Sequence, residues 1–339
     1  MSMAVRNLGS QYPNPSYNDP HKVNFLIDYG PSGDNLGDPF NGTVKIDWAS
    51  ICWNGGMLSI WVVAGPIFFS WSALLLFIIC TALALLLGHS IGYHRKMIHN
   101  SFECSTMTEY ILIWFGAWVG MSGPKGIIRA HDRRDWAQRH KKCHPYFAHK
   151  SPIIKDAWWQ IYCKLELEKE PEFNFRYIGR DPFYIWLEKY WHWQQLPVAI
   201  IFYLVGGWAW VIWGVAARIA ISNHGHWLIG YFAHNKGPQS HLVCGAGVQA
   251  FDVPWAAIVT MGEAWHNNHH AFPGSAKIGL YKHQSDWGYD FIQLMEYLGV
   301  FWNVQTPENL PHRGGLIQVK GHNKASIINK NKQIRDHLA

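Results

Sequence analysis

The sequence predicts an all-α integral membrane protein: four transmembrane helices in two hairpins, with a cytosolic helical cap that carries a histidine cluster. Three observations predict it. Trp48–His94 runs 47 residues without Asp, Glu, Lys or Arg, and Tyr190–Asn235 runs 46 with Arg218 as its one charge. A helix needs about 20 apolar residues to cross the hydrocarbon, so each run holds two crossings. Sixteen of the 20 histidines fall between His89 and His283, and both apolar runs end in one, at His94 and His234.

Residues 1–46 read as an N-terminal cytosolic arm, because Pro, Gly and Asn break any periodicity. The first 40 residues are polar, so no cleavable signal peptide is expected and insertion falls to internal segments. Residues 47–319 form the membrane domain, with hairpins at about 48–94 and 190–235. Gly65-Pro66 and Gly206-Gly207 are the expected turns. The apolar runs Tyr110–Gly123 and Val253–Gly262 are too short to span and are placed at the interface or under the cap. Residues 320–339, rich in Lys and Asn, read as a flexible tail.

Charge sets the orientation. Residues 93–180 carry 15 of the 29 Lys and Arg, and residues 236–339 carry nine more. The positive-inside rule puts both segments and both termini in the cytosol, at the plasma membrane or the endoplasmic reticulum. The net charge of +6 therefore follows topology and membrane-lipid contact, and nucleic acid is not an expected partner. The 20 Trp suit the membrane boundary, where the ring is buried and its N–H stays wet. The six Cys contain no C-x-x-C pair and read as free thiols.

The histidines fall into groups with ligand spacing. His266 and His270 are i and i+4, one turn apart on one helix face, and His269 lies beside them. A shared metal would hold three such imidazoles neutral. His94 and His99 are five apart and converge only if the helix ends or unwinds between them. His131/Asp135 and His140/His144 are both i, i+4 pairs, but nine residues separate them. One straight helix cannot aim both at one centre, so one pair carries ligands or the helix breaks. His149 follows closely. His234 joins as a ligand candidate because both hairpins emerge on one side. His89, His224 and His226, deeper in the helices, are given hydrogen-bonding or ligand-orienting roles.

With these residues in hand, the sequence resembles the membrane fatty acid desaturase superfamily, nearest to its acyl-CoA desaturases. Gly262-Glu263-Ala264-Trp265-His266-Asn267-Asn268-His269-His270-Ala271-Phe272-Pro273 is similar to the family's third histidine box. Gly92-Tyr93-His94-Arg95 through His99-Asn100-Ser101-Phe102 resembles the first, and Trp227 to His234 the segment with an extra histidine. The second box departs from the family's His-x-x-His-His. Starting at His131, it meets Arg134 and Asp135; starting at His140, it meets Cys143 and His144. The residue four before His234, often Asn in the family, is Gly230.

The resemblance implies two iron ions, O2 as co-substrate, and insertion of a double bond into a fatty acyl chain on CoA or another carrier. Its ligand set would be His94, His99, His131, His140, His144, His234, His266, His269 and His270. Asp135, His149, Glu263 and Asn267 are further candidates to ligate or to orient ligands, Asp135 because iron accepts carboxylates. No dinucleotide fingerprint, Cys-ligated cluster or haem domain is evident, so electrons are expected from a separate ferredoxin- or cytochrome-like donor with its reductase. Two other readings are open: a lipid hydroxylase on the same scaffold, and a zinc-dependent membrane hydrolase.

Overall fold

The computed structural model describes residues 37–171 and 175–319, so the first part of the N-terminal arm and the tail 320–339 lie outside the described residues. The described chain is mostly helical. Three helical segments are long and apolar enough to cross a membrane: Trp48–Ile67 (α1), Trp71–Ile98 (α2) and His192–Ala233. A bent pair, Thr106–Val119 (α3) and Pro124–Arg139 (α4), turns by 76° and makes a fourth if counted as one span.

The 42 residues of His192–Ala233 would extend about 63 Å as one helix, twice the hydrocarbon thickness of about 30 Å. The segment is broken at Gly207, where φ is +62° and ψ −156°, a backbone that glycine adopts without steric cost. Residues 192–206 form α7 and residues 208–233 form α8. Side chains meet across the break: Arg218 Nη2 donates to Gln195 Oε1 at 2.6 Å. The other expected turn is displaced. Pro66 is accommodated inside the last turn of α1, and the break falls at residues 68–70, where Ser70 caps α2 by accepting from Ala73 N.

The second half of α2, Ala84–Ile98, is π-helical. Its i→i+5 hydrogen bonding continues to the end, with His99 N donating to His94 O at 3.1 Å. Residues five apart therefore lie over one another. Glycines on this helix let α3 come within backbone contact. A Cβ at Gly92 would stand 2.6 Å from Leu112 O, and one at Gly88 would collide with Phe115 O. Gly88→Val is accordingly expected to destabilise by about 1–3 kcal/mol, seen as a lower melting temperature in detergent. An unshifted melting temperature would refute the close-packing argument.

Around this helix pair the core is apolar. Tyr93, Met97 and Ile98 of α2 pack with Ile113 and Ala117 of α3 and with Tyr184 and Leu187 of α6 (Pro182–Tyr190). On the other flank Ile91 and Phe102 pack with Ile292 of α10 (Trp287–Tyr297). The remaining helices named below are α5 (Ile153–Tyr162) and α9 (His266–Ala271).

Three two-stranded antiparallel ribbons tie the loops: β1 (Gly42–Ile46) with β3 (Cys163–Leu167), β2 (Glu103–Cys104) with β5 (Phe301–Trp302), and β4 (His241–Val243) with β6 (Leu316–Gln318). β1 lies within the segment expected to be a loose arm. Its β-branched residues, Thr43, Val44 and Ile46, suit a pleated ribbon, and Gly42 pairs with Leu167 and Ile46 with Cys163.

Candidate metal centre

Seven histidines converge in two groups at the end of α2 and the start of α9. His94, His99, His131 and His269 offer ring nitrogens that all lie within 4.8 Å of one another; His234, His266 and His270 do the same. In the first group the π-helical turn brings His94 and His99 together, Nε2 to Nε2 at 3.2 Å. His131, from the middle of α4, stands 4.9 Å from His99 between ring centroids, and His269 stands 4.4 Å from His94. In the second group His266 Nε2 lies 3.4 Å from His234 Nε2 and 3.0 Å from His270 Nε2.

The third histidine motif thus divides between the groups, where the sequence suggested one shared metal. On a helix, positions i and i+4 are about 40° apart, while i+3 falls on the other side of i by about 60°. His266 and His270 therefore share one group and His269 turns to the other. His140 and His144 are not brought into either group. Helix α4 ends at Arg139; His140 caps it with Nδ1 near Trp136 O at 2.9 Å, and His144 caps the turn Pro145–Ala148 by accepting from Tyr146 N. Of the two i, i+4 pairs, His131/Asp135 is the one that faces the centre.

The ring nitrogens have the electrostatics of metal ligands. Neither nitrogen of buried His269 has a hydrogen-bond partner among the described residues. Burial, reinforced by neighbouring imidazoles, pushes His234, His266 and His269 well below the ordinary histidine range; burial also lowers His270 to about 4, although Asp135 opposes it. Ring nitrogens converging at 3.0–3.4 Å can share a proton or a cation, and a cation between them can take a lone pair from each ring. The donor set fits a pair of metal ions.

Carboxylates hold the rings from behind. Glu263 Oε2 contacts His94 Nδ1 at 2.6 Å, and its Oε1 accepts from Ser90 Oγ at 2.5 Å and Arg95 Nε at 3.2 Å. Burial would raise this carboxyl, but His94 and Arg95 outweigh it and hold it well below the usual range. Asp132 Oδ1 lies 3.0 Å from His131 Nδ1, and Asp156 Oδ2 lies 2.8 Å from His149 Nδ1. Asp132 and Asp156 have no spacing signal that marks them in the sequence. His234 Nδ1 is satisfied by Gly230 O at 2.8 Å, one turn earlier in α8.

One expected ligand-orienting residue does something else. Asn267 accepts from Ser240 N and His241 N and donates to His241 O and Ala250 O. That fills the amide's capacity, so Asn267 splices α9 to β4 rather than touching a ring. Asn268 donates to Ile278 O and Gln284 Oε1. Among the deeper histidines, His89 stacks toward His94 at 6.4 Å and meets His226 edge-on at 4.9 Å, whereas His224 bonds Tyr162 Oη at 3.0 Å.

Asp135 borders the second group, with Oδ1 3.9 Å from His270 Nε2 and Oδ2 3.6 Å from Arg139 Nη2. A narrow cleft reaches Asp135 and His270 past Arg139, His241 and Arg313.

No family model matches the chain. Curated relatives do. It is 32% identical over 273 residues to an sn-2 palmitoyl-lipid 9-desaturase of Nostoc sp. (strain 36), covering 79% of this chain and 94% of the relative. The chain belongs to the fatty acid desaturase superfamily. An sn-1 stearoyl-lipid 9-desaturase of Anabaena variabilis is 31% identical, covering 72% of this chain and 88% of the relative. An acyl-CoA 5-desaturase of Anemone leveillei is 30% identical, covering 80% and 86%. As a desaturase the protein is an oxidoreductase of fatty acyl chains, and its two histidine groups could each hold a metal ion.

Proposed function

We propose that the protein is an oxygen-dependent fatty acyl desaturase with two irons. One is held by His94, His99, His131 and His269, the other by His234, His266 and His270 with Asp135. The observation that carries this is the convergence of seven buried or half-buried imidazoles from four separate segments into two adjoining groups. Imidazole and carboxylate together suit iron. When bound, the iron pair supplies the oxidising power to remove hydrogen from an unactivated C–H bond.

The balance of the reaction names the partners. Two hydrogens leave the acyl chain, and reducing O2 to two waters takes two further electrons and two protons. These electrons come from a separate ferredoxin- or cytochrome-like donor with its reductase. The chain's own residues hold and shape the site: Glu263 and Asp132 fix the ring nitrogens that face the metals. The relatives' names cover lipid-linked and CoA-linked chains, so the substrate is an acyl group on either type of carrier.

The membrane arrangement is read as two helical hairpins, α1–α2 and α7–α8. Their outward faces carry Val62, Ile67, Leu75, Ile201 and Leu204 for lipid contact. The histidine groups lie at the helix ends on the cytosolic side, under a cap built from α4, α5, α9 and α10. Membrane lipid surrounds the hairpins, in the plasma membrane or the endoplasmic reticulum.

The test is iron content and product analysis on detergent-purified protein made with iron supplied and zinc limited. About two irons per chain, and an O2-dependent product lacking two hydrogens, are expected. A product that gains oxygen would establish the hydroxylase instead. Bound zinc with hydrolysis and no O2 requirement would overturn the redox reading.

A further inference from the structure

Two departures from the family's pattern, far apart in sequence, meet in space. Arg134 stands in the second box where an imidazole is expected, and Gly230 stands four residues before His234. A Cβ built at Gly230 would lie 3.9 Å from Arg134 Nη1. The same Cβ would lie 3.7 Å from Nε2 of His149, which arrives from a third segment. Arg134 cannot ligate a cation, and its Nη2 donates to Gln160 Oε1 at 2.7 Å. The second box therefore contributes one imidazole, His131, and that one belongs to the first group.

We propose that His149 replaces the missing imidazole as a further ligand of the second metal, an inference that rests on the metal-centre reading above. His149 is 1% exposed, and its Nε2 has no partner among the described residues. Its other nitrogen, Nδ1, bonds the fully buried carboxylate of Asp156 at 2.8 Å. That carboxylate accepts a hydrogen bond from Nδ1–H, which keeps the ring proton on Nδ1 and leaves the Nε2 lone pair available, the arrangement that orients metal-binding histidines. Trp227 Nε1 donates to the same carboxylate oxygen at 2.9 Å and fixes it. The His149 ring stacks on His234 at 5.3 Å between centroids, with 20° between planes.

The backbone is held to suit. His149 has a φ of +51°, which costs a non-glycine residue energy, and Asn235, next to His234, donates to its carbonyl at 2.9 Å. Lys150 Nζ reaches the His234 carbonyl at 3.4 Å. The segment is thus tied to the end of α8 that carries His234. Gly230 leaves room beside this ring: a Cβ there would already touch Nε2 at 3.7 Å, and a larger side chain would crowd it.

The experiment compares wild type, His149→Ala and Gly230→Leu, each full-length and loaded with iron during expression. Readouts are iron per chain, the iron–nitrogen coordination seen by X-ray absorption, and monodispersity in detergent. His149→Ala is expected to lose about half the iron while staying monodisperse, and added imidazole to restore it. Gly230→Leu leaves His149 in place and is expected to lose iron in the same way. Should His149→Ala keep both irons with unchanged coordination, the proposal is overturned. If His149→Ala does not fold, Gly230→Leu decides: full iron with unchanged coordination overturns the proposal. A wild type that binds no iron overturns the metal-centre reading itself, whereas a loss confined to the variants upholds both.

Discussion

Glu263→Gln lowers metal affinity by about 10- to 100-fold and lowers the melting temperature of the metal-free protein as well. The carboxylate serves an imidazole, a guanidinium and a hydroxyl at once. It pins His94 Nδ1 at 2.6 Å, accepts from Ser90 Oγ at 2.5 Å and from Arg95 Nε at 3.2 Å. Gln fills the same space but carries no charge. His94 then loses the group that fixes which nitrogen faces the metal, and buried Arg95 loses one of its two carboxylates. Arg95 Nη2 keeps Asp286 Oδ1 at 2.7 Å, and its Nη1 keeps Ala276 O at 2.7 Å. Losing one partner of a buried ion pair costs about 3–5 kcal/mol, and the remaining contacts place this case at the lower end. Elemental analysis reads the first effect and thermal unfolding after chelation reads the second. Normal iron content would refute the orienting role, and an unshifted melting temperature the structural one.

That double role shows where the sequence is readable and where it is not. Glu263 and Arg95 each sit beside a recognisable histidine motif, but 168 residues separate them and nothing in either motif names the other. The apolar runs were legible because membrane insertion is a property of local composition, and Gly207 was legible because glycine suits its backbone without strain. The i, i+4 spacing of His266 and His270 was legible because helix geometry is local. His94 and His99 were only half legible: their spacing demanded a helix that unwinds, and the answer is the π-helical turn, set by packing of α2 on α3. The choice between His131/Asp135 and His140/His144 depends on where α4 stops, a boundary fixed by tertiary contacts of His140 and the following turn. Asp156, Arg134 and Gly230 acquire meaning only when three segments meet around His149.

Asp135→Ala empties the second metal position and leaves the first occupied. Asp135 is the only carboxylate among the described residues within 4 Å of the second group's nitrogens. Neutral imidazoles and no anion would leave the full charge of that ion uncompensated in a buried site, with Arg139 3.6 Å from the lost carboxylate adding to the repulsion. The first group has four imidazoles and Glu263 behind them, so it holds its metal. Iron content is expected to fall from about two per chain to about one, and desaturation by at least about 100-fold. Asp135→Asn, which keeps the shape but not the charge, should behave like Ala in metal content. Asp135→His places an imidazole one residue after Arg134, where the family's pattern has one, and should retain both metals with altered X-ray absorption. If Asp135→Ala keeps two irons, the carboxylate acts only on Arg139 and His270, and the second ion draws its charge balance from another group. If Asp135→His loses the second iron while Asp135→Ala keeps it, the position demands small size rather than a ligand atom, and the carboxylate assignment fails.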